Sequence, residues 1–187
     1  MHTTKTFQRL TVKNVVFLAI LSAVATCTAA VMAVVSQIHI FGLAQLVTAL
    51  QFSLFPAVAL MKVRKVGSIL FFAVFTGIVE LFMAPVMFFS SLLTGLLLEV
   101  LTVLLFKGYQ SDRAVFFAAW LFIPLTLPFN FLYYICFAGD LFQQFFGQGL
   151  QIAAVVCVLA AVAVSALGAF LGIRISRELK KAGVLKR

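Results

Sequence analysis

Apolar stretches, most of them about 20 residues and long enough to cross a hydrocarbon core about 30 Å thick as a helix, recur along this chain with short turns between them; the fourth is short and is expected to start within the preceding turn. The first reads "NVVFLAILSAVATCTAAVMAVV". In lipid every backbone N–H and C=O must find its partner inside the protein, which leaves only helices and closed barrels. The period-2 alternation of a barrel strand is absent. The expected fold is therefore all-α, an integral membrane six-helix bundle forming one transmembrane domain over residues 1–187. The expected spans are approximately 14–35, 43–61, 68–89, 91–106, 114–137 and 150–173. Composition agrees: 10% of the residues are charged, against about a quarter in soluble domains.

The charges are sorted by loop. Lys5, Arg9 and Lys13 precede the first span, "KVRK" follows the second, "KGYQSDR" follows the fourth, and "RISRELKKAGVLKR" closes the chain. The loops "SQIHIFG", "PVMFFSS" and "GDLFQQFFGQG" hold no lysine or arginine. All 14 basic residues thus fall on one side of the expected bundle. The positive-inside rule then puts both termini in the cytoplasm. A net charge of +9 is accounted for by this topology, so no nucleic-acid partner is expected. The first apolar stretch exceeds the 7–15 residues or so of a signal-peptide core and reads as an uncleaved span. Cys27, Cys136 and Cys157 lie far apart inside apolar runs and are expected to be small buried hydrophobes. With no zinc spacing, P-loop or G-x-S-x-G, no metal, cofactor or catalytic set is expected, and the chain is read as no enzyme.

Two acids stand out in "GIVELFMAPVMFFSSLLTGLLLEVLTVLLF". Glu80 and Glu99 have no lysine or arginine near them in sequence. With the hairpin turn placed at Phe89 and Ser90, each lies about nine residues from it, roughly 13–14 Å deep. Both then share a level near the midplane, where a charged acid costs about 2.5–3.5 kcal/mol. Three things relieve that cost: a proton, hydrogen bonds from Thr94, Thr76 or Asn130, or a ligand that brings donors or positive charge. A purely structural pairing across helices is the competing account.

Other polar groups gather toward the same outer half. Pro124 and Pro128 each remove a backbone donor and are expected to break the fifth span beside Asn130, Tyr133 and Tyr134. The loop "GDLFQQFFGQGLQ" mixes Phe142, Phe145 and Phe146 with Gln143, Gln144, Gln148 and Gln151, as a lid over a solute or as a half-buried interfacial segment. His39 in the first outer loop and Gln45 and Gln51 in the second span are further candidates. On the first span, Ala19 and Ala23 form one row of small residues, Ser22, Thr26 and Ala30 a second, and Ala25, Ala29 and Ala33 a third. Such rows let another helix approach closely, from within the bundle or from a partner. The basic tail is expected to extend the sixth span by a turn or two, with Gly183 stopping it.

With "LTVKNVVFLAILSAV" and its alanines four apart, and with "KVRKVGSILFFAVFTGIVELFMAPVMFFSSLLTGLLLEV", the chain resembles the substrate-binding S component of energy-coupling factor vitamin transporters. The second segment is most similar to members assigned to the thiamine pyrimidine precursor. The resemblance implies a multi-pass protein of a prokaryotic plasma membrane that captures a water-soluble vitamin outside. It implies docking through Ala19 and Ala23 on a transmembrane coupling subunit joined to two cytoplasmic ATPase subunits. The site would then comprise Glu80, Glu99, Asn130, Tyr133, Gln45, Gln143, Gln148 and His39. Two acids favour a donor-rich or cationic solute such as the pyrimidine precursor, pyridoxine or thiamine; amides and aromatics also suit cobalamin. The alternatives are a proton-coupled secondary transporter, in which level acids trade protons, and a non-transport membrane scaffold.

Overall fold

The computed structural model describes residues 10–35, 37–140, 144 and 149–183, and no strand occurs among them. Helix α1 spans Val12–Thr28 and continues through a 3-10 turn, Ala29–Val31, into the short α2, Met32–Val35. Then follow α3 (Leu43–Thr48), α4 (Gln51–Lys62), α5 (Ser68–Leu81), α6 (Pro85–Phe106), α7 (Asp112–Phe137) and α8 (Gln151–Lys181). Four stretches are long and apolar enough to cross a membrane: Val12–Val31, Pro85–Phe106, Asp112–Phe137 and Gln151–Lys181. That is compatible with a membrane-embedded protein.

Of the other two expected spans, one is divided and one is shorter than the sequence suggested. The stretch over 43–61 is divided between α3 and α4 at Ala49 and Leu50, which nevertheless keep right-handed helical angles. The Ala49 N–H reaches back only three residues, to the Leu46 carbonyl at 3.3 Å. Helix α5 stops at Leu81 after 14 residues, eight residues short of the expected end at Phe89. The cause lies in Pro85. Proline suits the first helical position, where no N–H is needed, and it pushes the residue before it into extended backbone. Ala84 has φ −159° and ψ 132°, so the turn falls at Phe82–Ala84 and not at Phe89–Ser90.

Helix α7 also departs from expectation. It runs unbroken through Pro124 and Pro128. Each proline withholds an N–H from the carbonyl four residues earlier, on Trp120 and Pro124. Pro124 is half-buried and Pro128 exposed, and α7 stays helical through both while packed against α4, α6 and α8. Helix α8 does extend past the apolar run, to Lys181, and Gly183 follows with φ +75°, a left-handed value open to glycine.

Helix α4 is the hub, touching α1, α7 and α8. Its Pro56–Met61 segment is buried on every side, as befits a helix that is apolar all round. Against it, α8 presents Gly168 and Gly172. A Cβ on either would lie 2.4 Å from the Leu50 carbonyl oxygen or 2.6 Å from that of Leu54, so only glycine permits this approach. Helices α5 and α6 pack as an antiparallel hairpin, α6 leans on α7, and α1 covers α5 and α4. Cys27 and Cys136 are exposed and Cys157 half-buried, which corrects the expectation that all three are interior. On a helix facing hydrocarbon, the outer surface is as apolar as the core, so hydrophobicity did not distinguish the two.

The described cations collect at one end. Asp112 ties Arg64, between α4 and α5, to Arg177 near the end of α8. Leu10, just before α1, approaches Gly67, just before α5. We call this the basic end. The loop 37–42, the α5–α6 turn and the end of α7 form the opposite end.

Candidate functional site

A cavity of about 420 Å³ opens at the end opposite the cations. Its wall comes from four places: the loop 37–42, the start of α3, the α5–α6 turn and the outer half of α7. The loop is set by Gly42, at φ +84° before α3, and Gly42 lies against Cys157 and Val158 of α8. His39, Gln45 and Asn130 line the cavity, as do Phe41, Met87 and Tyr134.

Beneath it lies a hollow of about 20 Å³, room for about one water molecule. The two share Gln45, Met87 and Asn130. Glu80 lines the lower hollow together with Ser90, Ser91, Thr48 and Thr126. Ser91 Oγ donates to Glu80 Oε2 at 2.5 Å across the hairpin. Two hydroxyls turn away from the space: Thr126 donates to the Ile123 carbonyl at 2.7 Å and Thr48 to that of Ala44 at 2.9 Å. Asn130 is 5% exposed, and its Oδ1 is buried with no hydrogen-bond partner among the described residues. A buried acceptor left in that state costs about 1–3 kcal/mol. The floor of the cavity thus offers acceptors, a carboxylate and an amide oxygen, at an end where no described lysine or arginine stands.

No protein-family model, no curated protein and no solved structure matches this chain.

Glu99 is not beside Glu80. Its Oε1 accepts from the Gly67 N–H at 2.7 Å and its Oε2 from the Tyr109 hydroxyl at 3.1 Å. Gly67 and Glu80 are separated by nearly the whole of α5, about 20 Å at 1.5 Å per residue. The expectation of a shared depth fails because the turn lies some six residues earlier than placed. Ser91, and not Glu99, stands across from Glu80. Tyr133 also misses the cavity. It lines an apolar groove between α6 and α7 with Phe89, Leu93 and Phe129, while its neighbour Tyr134 faces the cavity. Gln51, with its Nε2 buried and unpartnered among the described residues, lines neither space. Gln143 and Gln148 lie outside the described residues, so the expected lid has no structural account. Ser91, Met87 and Tyr134 complete the site. Pro85 was the signal that would have paired Ser91 with Glu80.

On α1, Ser22, Ala25 and Thr26 are buried, as is Ala29 in the 3-10 turn that follows, and α1 packs against α5 and α4. Ala23 is exposed and Ala19 half-buried. Two of the small-residue rows therefore serve internal packing in part, and the row of Ala19 and Ala23 stays open.

Proposed function

We propose that this chain is the solute-binding subunit of an ATP-driven importer of the energy-coupling factor type, taking up a water-soluble vitamin across a prokaryotic plasma membrane. In this reading six segments cross or enter the bilayer, both termini are cytoplasmic, and the cavity opens outward. The observation that carries it is the cavity floor. A buried amide oxygen on Asn130, unpartnered among the described residues, lines the same small hollow as the Glu80 carboxylate, at the end the positive-inside rule assigns to the exterior. A cavity of about 420 Å³ is of ordinary size for a small-molecule site. It suits a flat heterocycle with N–H donors, of the aminopyrimidine or pyridoxine kind, better than a corrinoid, which occupies several times that space. The exposed Ala23 and half-buried Ala19 offer a close-packing surface to a transmembrane coupling subunit. Two ATPase subunits supply the nucleotide chemistry, for which this sequence holds no motif. Separation of Glu80 from Glu99 takes away the level pair on which proton trading would rest.

The test is mass spectrometry of small molecules retained by the purified chain, followed by calorimetry with the thiamine pyrimidine precursor and pyridoxine. One of them is expected to bind. Glu80→Gln and Asn130→Leu are each expected to weaken it about tenfold or more, the worth of one buried hydrogen bond. A wild-type chain that retains nothing and gives no binding heat with either compound would sink the reading.

A further inference from the structure

The small hollow beneath the first cavity is lined by more acceptors than donors. Four hydroxyls face it, on Thr48, Ser90, Ser91 and Thr126. All are buried, and each has one proton to give. All four protons are committed. Ser91 Oγ donates to Glu80 Oε2 at 2.5 Å and Ser90 Oγ to the Met87 carbonyl at 3.1 Å. Thr126 donates to the Ile123 carbonyl at 2.7 Å and Thr48 to the Ala44 carbonyl at 2.9 Å. What these oxygens still offer is lone pairs. Glu80 adds a carboxylate, which accepts only. Asn130 adds an amide oxygen that is buried and has no partner among the described residues. The remaining side-chain N–H donors on the wall belong to Gln45 and Asn130, and both residues also line the cavity above.

Size and chemistry together narrow what enters. About 20 Å³ holds one heavy atom with its hydrogens, the size of a water molecule. A ring does not fit. The tip of a solute seated in the upper cavity does, because the two spaces share Gln45, Met87 and Asn130. A methyl tip leaves the buried acceptors unmatched. A carbonyl brings no proton, and a hydroxyl brings one together with lone pairs that face other lone pairs. A primary amino group brings only protons: three on an alkylammonium, two on a heteroaromatic ring that draws the nitrogen lone pair into itself. The alkylammonium also supplies the positive charge that a carboxylate surrounded by hydrocarbon lacks. Among the described residues no lysine or arginine lines either space.

Taking the first cavity as the solute site, the reading on which this rests, we propose that the hollow receives a primary amino group of the solute. The site then selects amines over the matching alcohols. Glu80 and Asn130 set that choice, and the upper cavity holds the rest of the molecule.

The experiment is calorimetry of the full chain with pyridoxamine and pyridoxine, which differ by an aminomethyl against a hydroxymethyl group. Thermal unfolding in methylammonium, sodium or potassium chloride at equal ionic strength is the second measurement. Pyridoxamine is expected to bind about tenfold or more tighter than pyridoxine, and methylammonium to raise the thermal midpoint above that in potassium. In Glu80→Gln, and independently in Asn130→Leu, the preference is expected to shrink to about threefold or less. A merely structural role would weaken both ligands alike and leave their ratio intact. Equal or tighter binding of pyridoxine by the wild type, or an unchanged ratio in both variants, overturns the amine assignment and leaves the solute-binding reading standing. Stabilisation by sodium beyond that by methylammonium makes the hollow a metal-cation site and overturns it too. If neither compound binds, yet methylammonium stabilises the wild type and not Glu80→Gln, the amine subsite stands and the vitamin reading falls. If neither compound binds and methylammonium has no effect, both fall.

Discussion

Glu99 sits at the start of α5, where backbone N–H groups have no carbonyl one turn earlier to bond and where the helix dipole favours an anion. By taking the Gly67 N–H and the Tyr109 hydroxyl it joins α6, the following loop and the α4–α5 connection. Removing it strands both donors. Glu99→Ala is expected to cost about 1–3 kcal/mol, read as a lower thermal midpoint, with solute affinity unchanged in the folded fraction. A tenfold loss of affinity at an unchanged midpoint would return Glu99 to the binding site. The sequence singled out both acids correctly as residues with something to explain. It did not reveal which neighbour relieves each one, because that depends on where the hairpin turns. A shift of six residues in the turn replaces a carboxylate with a hydroxyl across from Glu80. The rule that proline opens helices was available at Pro85 and would have located the turn.

Between elements, the tightest seam is α8 on α4. Gly168→Ala is a direct probe of it, because two effects oppose each other. In a helix interior alanine is favoured over glycine by about 1 kcal/mol. Here its Cβ would meet the Leu50 carbonyl oxygen at 2.4 Å, and backbone cannot yield as a flexible side chain does. Overpacking costs of about 1–3 kcal/mol are expected to win, so the variant should unfold at lower denaturant than the wild type. Greater stability in the variant would show that the seam has slack. Helix type and approximate extent were readable, because lipid and the unmet demands of backbone groups leave few options. The use of each face was not. Three rows of small residues on α1 look alike in sequence, yet the burial of Ser22, Ala25, Thr26 and Ala29 is decided by what α4 and α5 present to them. Continuity of α7 through two prolines, one of them exposed, was likewise unreadable.

Taken whole, the molecule separates its two ends chemically. One carries the described lysines and arginines; the other carries a cavity floored with acceptors. That division was legible, because loop charges can be sorted with no knowledge of packing. The cavity was legible only in part. His39, Gln45, Glu80 and Asn130 were chosen from four separate segments, and the fold brings them together around two connected spaces. Tyr133 and Tyr134 are adjacent in sequence and diverge by a helical rotation that no apolar pattern fixed. If the open row on α1 is the docking surface, a doubly substituted Ala19→Leu, Ala23→Leu chain is expected to bind solute within about 0.5 kcal/mol of the wild type, as surface changes usually do, while uptake by whole cells is lost. Uptake at the wild-type rate would remove α1 from the interface.

Placed in a bilayer, the brevity of α5 sets a boundary condition on the lipid beside it. Fourteen residues rise about 21 Å, roughly 9 Å less than the thickness of the hydrocarbon film. If α5 is one of the crossing segments, the film dimples toward Phe82–Ala84, at a modest elastic cost for each ångström of mismatch. The mouth above Glu80 then opens at the bottom of a shallow well, so water and anything dissolved in it come close to the carboxylate without entering oil. Thinner membranes would relax that deformation, and the chain should collect in them.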